Sequence, residues 1–171
     1  PEVRNSASFD AITPTYALAY RLNDDLNVYA RLAQGFQSGG FSAEAGDPSY
    51  LAEPYDPQES KTYELGSKAS LWDGRAQVNG AIFLNEITDM LIPQLVPGST
   101  SSYWTNAGKA TNRGLELEVV VIPLEDWRVQ VGYSWLDAKF DEYYDNALNI
   151  PERPLIDTAN NRLPSWTPEH T

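Results

Sequence analysis

Apolar and polar residues alternate along six segments of this chain. Segment 15–22 places Tyr16, Leu18 and Tyr20 at every second position, with small or polar residues between them. A period of two is the signature of a β-strand whose two faces meet different surroundings. Five more segments alternate in the same way: 26–36, 62–72, 75–84, 113–122 and 127–140. The pattern therefore predicts an all-β chain of about six strands.

Short turns join the segments in pairs. Asp73 and Gly74 form the strongest short hairpin signal that a sequence can carry. A two-residue loop fixes the register, so we expect Leu71 to oppose Ala76 and the apolar residues of both strands to share one face. Residues 23–25 (Asn-Asp-Asp) predict a second turn, since these residue types suit positive φ values and local side-chain hydrogen bonds.

A third hairpin is predicted around a turn at 123–126. Here we expect Leu117 to oppose Tyr133. The same register pairs Arg113 with Asp137, which makes a charge pair above the apolar residues. Three hairpins in chain order predict an antiparallel meander.

Long connections separate the hairpins. They cover 37–57, 92–104 and 144–166 and are rich in Gly, Pro, Ser, Asn, Asp and Tyr. Structureless loops of this length are unusual in compact domains. Short turns at one end and long loops at the other are typical of bacterial outer-membrane barrels. We therefore expect part of a transmembrane β-barrel, with the apolar face on lipid and the polar face on the lumen.

Two alternatives stay open on the pattern alone: a passive porin-like barrel, and a soluble carbohydrate-binding β-sandwich, whose strands also alternate. Long strands and aromatic residues near strand ends favour the transmembrane barrel. In a barrel, eight polar residues are predicted to line the lumen: Arg31, Lys68, Gln77, Asn79, Glu116, Glu118, Arg128 and Gln130.

Composition removes several classes of function. The chain has 24 acidic and 12 basic residues, and its net charge of −12 argues against a nucleic-acid partner. It has no Cys, and its single His is His170, which excludes thiolate and His metal sites and His-based catalysis. We interpret Glu116 and Glu118 as hydrated acids of the lumen and not as a glycosidase pair. The sequence predicts no enzyme, no metal site and no cofactor.

Five strings resemble segments of one protein family, in the same order and spacing over nearly the whole chain. They are 26–41 (LNVYARLAQGFQSGGF), 59–91, 106–118 (with NAGKA and GLELE), 133–140 (YSWLDAKF) and 162–168 (RLPSWTP). The chain resembles TonB-dependent outer-membrane receptors, and siderophore receptors in particular.

The resemblance implies a place in a larger molecule. Such receptors are 22-stranded barrels around an N-terminal plug, and they import a scarce ligand, such as a ferric siderophore, with energy delivered through TonB. This chain has no plug, TonB box or final strands, so we expect residues 1–171 to form a partial barrel domain. The implied partners are outer-membrane lipid and lipopolysaccharide, the plug, TonB and a small ligand. The implied location is the bacterial outer membrane.

The loops are the predicted ligand surface, because binding residues concentrate on loops that a rigid scaffold carries. Aromatic and polar residues there suit a siderophore or a sugar. The candidates are Gln37, Tyr50, Tyr55, Tyr103 and Trp104. If Arg113 faces outward above the lipid band, we predict that it contacts a lipopolysaccharide phosphate.

Overall fold

The alternating segments form one antiparallel sheet. The computed structural model of the chain describes residues 5–145, 156–157 and 168–171. Its elements are β1 (Thr15–Arg21), β2 (Leu26–Gln37), β3 (Gly40–Phe41), α1 (Pro48–Ala52), β4 (Pro54–Tyr55), β5 (Gln58–Leu71), β6 (Ala76–Leu95), β7 (Ser102–Val121), β8 (Val129–Asp145) and β9 (Ile156–Asp157). The main sheet has the order β1-β2-β5-β6-β7-β8-β9, and β3 pairs with β4 in a second sheet. The predicted all-β meander of three hairpins is confirmed.

The predicted strand registers are confirmed as well. In the β5–β6 hairpin, Leu71 faces Ala76, and the pairing continues along the hairpin without a shift. In the β7–β8 hairpin, Arg113 faces Asp137. Because each strand keeps its register with the next, the alternation of one strand continues into its neighbours.

The tight turns differ in how they close. Asp73 and Gly74 have φ values of 55° and 83°, and two consecutive positive values are what a type I′ turn needs. In the first turn the amide of Asp25 donates a hydrogen bond of 2.9 Å to the side-chain oxygen of Asn23, as predicted. The positive φ predicted there is wrong. A side-chain hydrogen bond shapes this turn instead of a left-handed residue.

The predicted loop at 92–104 is wrong. Strands β6 and β7 have 20 residues each, and only 96–101 connects them. Register shifts next to Met90 and a φ of 52° at Asp89 mark bulges in this hairpin. A bulge inserts an extra residue and so shifts the alternation by one position. The pattern beyond the bulge therefore resembles a loop, although the chain remains extended.

Other predicted boundaries also move. Strand β5 begins four residues earlier than predicted, at Gln58, and β8 continues five residues further, to Asp145. The predicted loop 37–57 contains β3, α1 and β4. Most of 144–166 and of the string at 162–168 lies outside the described residues. In the part of the chain that is described, no helix has the length and hydropathy to cross a membrane.

The two faces of the main sheet have opposite character across six strands. One row, set by the pairing, consists of Leu18, Ala30, Leu65, Ile82, Leu115 and Trp135. Side chains on this apolar face are exposed, 75% for Leu18 and 56% for Leu65. On the opposite, polar face Arg31 and Lys68 are exposed as well, whereas the Glu64 side chain is 23% exposed. A soluble protein would bury its apolar face, so a contiguous exposed one needs an apolar surrounding.

Few side chains are fully buried in the described residues. The buried apolar ones are Ala45, Ala76, Ile92, Val96, Ala110 and Ala138. Ala45, Ile92 and Val96 belong to the region where the loop after β2 meets the β6–β7 hairpin. The main sheet has no thick hydrophobic core of its own, and hydrogen bonds between neighbouring strands are its main internal support.

A glycine allows close packing on the polar face. A Cβ atom on Gly114 would lie 2.5 Å from the backbone oxygen of Trp135 and 2.6 Å from the ring of Phe83. The Phe83 ring thus lies against the strand opposite to it, in the space that a larger residue would fill. This arrangement keeps the aromatic ring close to the wall.

We expect Gly114→Ala to destabilise the protein, because the new methyl group overlaps a backbone oxygen that is fixed in the sheet. The expected loss is about 1–3 kcal/mol, as for other overpacked sites. Gly132→Ala is the matched control, since no atom lies within 4 Å of its added Cβ. Thermal unfolding of the purified full-length protein in detergent micelles measures both variants. Equal unfolding midpoints for the two would contradict the packing argument.

Candidate functional site

The residues predicted to line the lumen lie together on the polar face. Seven of the eight occupy it by strand pairing: Arg31, Lys68, Gln77, Asn79, Glu116, Glu118 and Gln130. Arg128 is exposed and lies one residue before β8. Arg31 forms an ion pair with Glu64, with 3.6 Å between nitrogen and oxygen. The sheet therefore gathers these residues on one surface.

Carboxylates on the polar face also accept hydrogen bonds from neutral side chains. The side-chain amides of Asn79 and Gln130 donate to the two oxygens of Glu118, at 3.1 and 2.7 Å. The Tyr29 hydroxyl donates to Glu64 at 2.6 Å. Because the donors come from neighbouring strands, they tie the strands together. The arrangement gives a hydrogen-bonded polar surface, which suits contact with a wet interior.

The apolar face has a charged margin at its loop end, the end away from the tight turns. The row of Tyr16, Leu32, Tyr63 and Leu84 continues onto Arg113 and Asp137. The Nε and Nη2 atoms of Arg113 donate to Asp137 at 3.0 and 2.8 Å. The Nζ of Lys139 lies 2.9 Å from the other oxygen of Asp137. Two cations share one carboxylate, and the Arg113 side chain is 61% exposed.

Exposed tryptophans mark the turn end of the apolar face. Trp72 and Trp127 are 69% and 64% exposed. Along β5, the segment from Tyr63 in the last apolar row to Leu71 near the turn covers residues 63–71. A tilted strand needs about 9–11 residues to cross the apolar band of an outer-membrane barrel, which aromatic residues flank on both sides. The length of the apolar face therefore matches a lipid band.

The loop after β2 folds onto the outer part of the β6–β7 hairpin. We call residues 38–57 and 90–106 together the loop platform. The rings of Tyr50 and Tyr103 have centroids 4.4 Å apart across this contact. The hydroxyl of Ser42 accepts a hydrogen bond of 2.8 Å from a backbone amide of β7. The loop is thus an ordered surface.

The loop platform lies on the side of the polar face. Gly108 belongs to the polar face of β7, and the Cδ1 atom of Ile92 reaches over it. From there every second residue is buried: Ile92 and Gln94 in β6, and Val96 directly after it. Leu95, which lies between Gln94 and Val96, is 40% exposed. The loop therefore covers the continuation of the polar face beyond the apolar band.

Helix α1 presents Tyr50 within the platform. Its N-cap, Asp47, accepts hydrogen bonds from the hydroxyl and the amide of Ser49 at 2.7 and 2.9 Å. These bonds favour the ionised carboxylate and hold the pKa of Asp47 below its usual value. At the other end of α1, the side-chain amide of Asn5 donates to the Ala52 carbonyl at 2.8 Å. Both ends of this short helix are therefore secured.

The structure brings together only part of the predicted ligand set. Tyr50 and Tyr103 are in contact. Tyr55 lies in β4, and Gln37 is the last residue of β2. Trp104, 44% exposed, follows Tyr103 in β7 and so faces the other side of the hairpin. Their contact with a ligand stays a prediction.

Two residues that organise the platform are absent from the predicted set. They are Ser42 and Asn106, which bind backbone groups across the contact between loop and hairpin. Single polar residues in a loop leave no periodic signal. The NAGKA string at 106–110 is the one sequence feature that points to Asn106.

Comparisons with known proteins agree with this geometry. The family model described as TonB dependent receptor-like, beta-barrel, matches residues 2–171. The pesticin receptor of Yersinia enterocolitica is 33% identical over 127 residues, which are 74% of this chain and 17% of that protein. The ferric yersiniabactin uptake receptor FyuA of Yersinia pestis matches with a TM-score of 0.61 at 28% identity, over 75% of this chain and 18% of that one. The siderophore receptor PiuA of Acinetobacter baumannii has the same fold, with a TM-score of 0.65 at 21% identity, over 92% of this chain and 22% of that one.

This chain belongs to the TonB-dependent receptor family and represents part of its outer-membrane β-barrel. Membership of this family explains the alternating strands, so the alternative of a soluble β-sandwich is no longer needed to explain them. Its similar proteins are receptors, which fits the expectation of a non-enzyme. The chain spans 17% of the length of the pesticin receptor, 18% of the FyuA chain and 22% of the PiuA chain.

Arginine substitutions at adjacent positions of β6 distinguish the two faces. Ile82→Arg places a charge in the middle of the apolar face, where arginine costs about 2–4 kcal/mol at the bilayer midplane. Ala81→Arg places the same charge on the polar face, opposite Glu116, and serves as the control. We expect Ile82→Arg to lower the amount of folded full-length receptor in outer-membrane fractions, and Ala81→Arg to leave it near the wild-type level. An equal loss for both would count against the assignment of the faces.

Proposed function

We propose that this chain forms part of the wall and of the outer ligand surface of a receptor that imports a ferric siderophore with energy from TonB. The loop platform carries the proposal, because it holds Tyr50 and Tyr103 in contact on the side of the polar face. Aromatic side chains on a rigid support suit ligands with flat, partly apolar surfaces. The printed name of the similar receptor FyuA, a ferric yersiniabactin uptake receptor, supports the same ligand class.

The charge of the platform restricts the ligand further. Its acidic residues are Glu44, Asp47, Glu53 and Asp56, and segments 38–57 and 90–106 contain no Lys or Arg. A surface of one charge sign attracts ligands of the opposite sign and disfavours ligands of its own. This part of the site therefore favours a neutral or cationic ferric complex over an anionic one.

The polar face serves this function as the inner wall. In a barrel closed by further strands, Arg31, Lys68 and Glu118 face the lumen and contact a plug domain. Their side-chain charges of both signs suit a hydrated interface with such a domain. A hydrated interface separates more easily than an apolar interface. TonB acts on the plug, and the wall stays in place while the plug moves.

The charged margin of the apolar face contacts lipopolysaccharide. Arg113 and Lys139 flank Asp137 above the apolar rows, so this cluster has one positive charge in excess. The outer leaflet of the outer membrane presents lipopolysaccharide phosphates at this height. Arginine binds phosphate through paired N–H donors, and the largely exposed side chain of Arg113 can reach them.

Uptake of radioactive iron tests the receptor function. In cells without a receptor of their own for the complex, the full-length receptor is expected to import iron from a neutral ferric trihydroxamate more readily than from an anionic ferric tris-catecholate.

Tyr50→Ala is expected to weaken binding about tenfold or more, as for a central aromatic contact. Tyr16→Ala, on the apolar face, is the control. Uptake that persists without TonB would instead support a passive porin-like barrel.

Lipopolysaccharide retained on the purified receptor tests the charged margin. The double variant Arg113→Ala with Lys139→Ala is expected to retain about threefold less, the scale of exposed charge pairs. Lys68→Ala removes a cation from the polar face and is the control. Mass spectrometry of the co-purified lipid measures the retained amount. Unchanged retention in the double variant would exclude this contact.

A further inference from the structure

The loop after β2 is held on the β6–β7 hairpin by apolar contacts and by hydrogen bonds. Ala45, Ile92 and Val96 are the buried apolar side chains of this region within the described residues. The rings of Tyr50 and Tyr103 are in contact across it. Apolar contacts are non-directional, so they hold the loop near the hairpin without fixing its position. Hydrogen bonds are directional, so those across the contact fix where the loop lies on the hairpin.

The Asn106 side chain makes three hydrogen bonds, two of them across the contact between loop and hairpin and one within the hairpin. Its Oδ1 accepts from the amide of Asp56 at 2.7 Å. Its Nδ2 donates to the Asp56 carbonyl and to the Asp89 carbonyl, each at 2.8 Å. Both N–H bonds of the side-chain amide are used. Asn106 thus pairs with both backbone groups of Asp56, as a neighbouring strand would.

The three bonds connect two separate parts of the molecule. Asp56 is where the loop returns to the sheet before β5, and Asp89 lies at the bulge of β6, with a φ of 52°. Backbone groups at bulges and loop ends are missed by the regular strand pairing. Asp56 and Asp89 are exposed, so each of these hydrogen bonds is worth about fivefold in stability, and together they hold both segments in place.

We propose that Asn106 is a positioning residue that latches the loop of 38–57 onto the β6–β7 hairpin and thereby sets the affinity of the receptor for its ligand. Asn106 fixes the backbone of Asp56 at the end of the loop. Because the same loop carries Tyr50, Asn106 indirectly sets the position of the Tyr50 ring. The inference about affinity rests on the proposed function, whereas the latch itself does not. Only a side-chain amide provides one acceptor and two donors at this position.

Hydrogen exchange of the full-length receptor without ligand tests the latch. Asn106→Asp keeps the acceptor, removes both donors and brings a negative charge to two carbonyl oxygens. We expect exchange in 42–56 to become at least about tenfold faster, since each lost hydrogen bond is worth about fivefold. Exchange in 15–37 should not change. Unchanged exchange in the loop, or equal acceleration in β1 and β2, would overturn the proposal.

Two variants control for charge and for the mere presence of a substitution. Asp56→Asn alters the side chain but keeps the backbone amide and carbonyl that Asn106 binds. Gln77→Glu introduces the same charge at an exposed position of the polar face, far along β6 from the loop. Both are expected to leave the exchange of the loop near the wild-type rate. Acceleration by the variant that adds a charge elsewhere, equal to that of Asn106→Asp, would show that charge, and not the latch, controls the loop. Equal acceleration by Asp56→Asn would show that any substitution at this contact loosens the loop.

Acidification provides a readout that general destabilisation does not. Once the carboxyl group introduced by Asn106→Asp is protonated, below about pH 4, it regains one O–H donor. The ratio of the exchange rate of this variant to that of the wild type should therefore fall towards one as the pH is lowered. A ratio that stays constant or rises would overturn the proposal.

Binding then links the latch to the ligand. With the neutral ferric trihydroxamate as probe, Asn106→Asp is expected to raise the Kd about tenfold, and Asp56→Asn to raise it much less. An unchanged Kd together with faster exchange would overturn the link to affinity. No binding by the wild type would contradict the proposed ligand class, and the exchange experiment would still decide the latch.

Discussion

Hydrogen bonds between neighbouring backbones hold this wall together, and its other features depend on their register. Pairing is continuous from β1 to β8, so the alternating apolar positions of these strands lie on one face of the sheet and the positions between them lie on the other. In lipid every backbone group has to find a partner within the protein, because each unsatisfied group costs several kcal/mol. A slip of one residue would exchange the apolar and polar faces of a strand. The register therefore decides both the membrane location and the composition of the inner surface.

Much of this register could be predicted from local sequence. Asp73 and Gly74 leave only one way to pair β5 with β6, and the apolar residues of both strands then agree on a face. The prediction fails beyond Ile87, where the pairing first shifts near Asp89. The alternation of apolar and polar residues holds only while the strand is uninterrupted, so each residue that a bulge inserts shifts the alternation by one position. Two bulges close together leave segments too short to show a new period.

The candidate site could be predicted in its residue types but not in its arrangement. Tyr50 and Tyr103 were expected in the loops, but their contact depends on the docking of two distant segments. Adjacent in the chain, Tyr103 and Trp104 face opposite sides because β7 is extended there, and the loop prediction missed this strand. The role of Asn106 depends on partners 50 and 17 residues away. No local pattern encodes contacts of this kind.

The length of the β6–β7 hairpin has a consequence for the cell surface. Ile82 lies in the middle of the apolar face, so the apolar band of ~25 Å extends only about half its height beyond this residue. From Ile82, β6 continues to Leu95 over about 44 Å of strand and so ends well outside the band. The tip at 96–101 therefore stands clear of the lipid band. Strand pairing continues up to the tip, where the amide of Val96 donates to the carbonyl of Ser101, whereas the lipid-facing rows lie far from it. Sequence changes at 97–100 can therefore alter the outermost surface of the hairpin while the rows in the membrane keep their pairing.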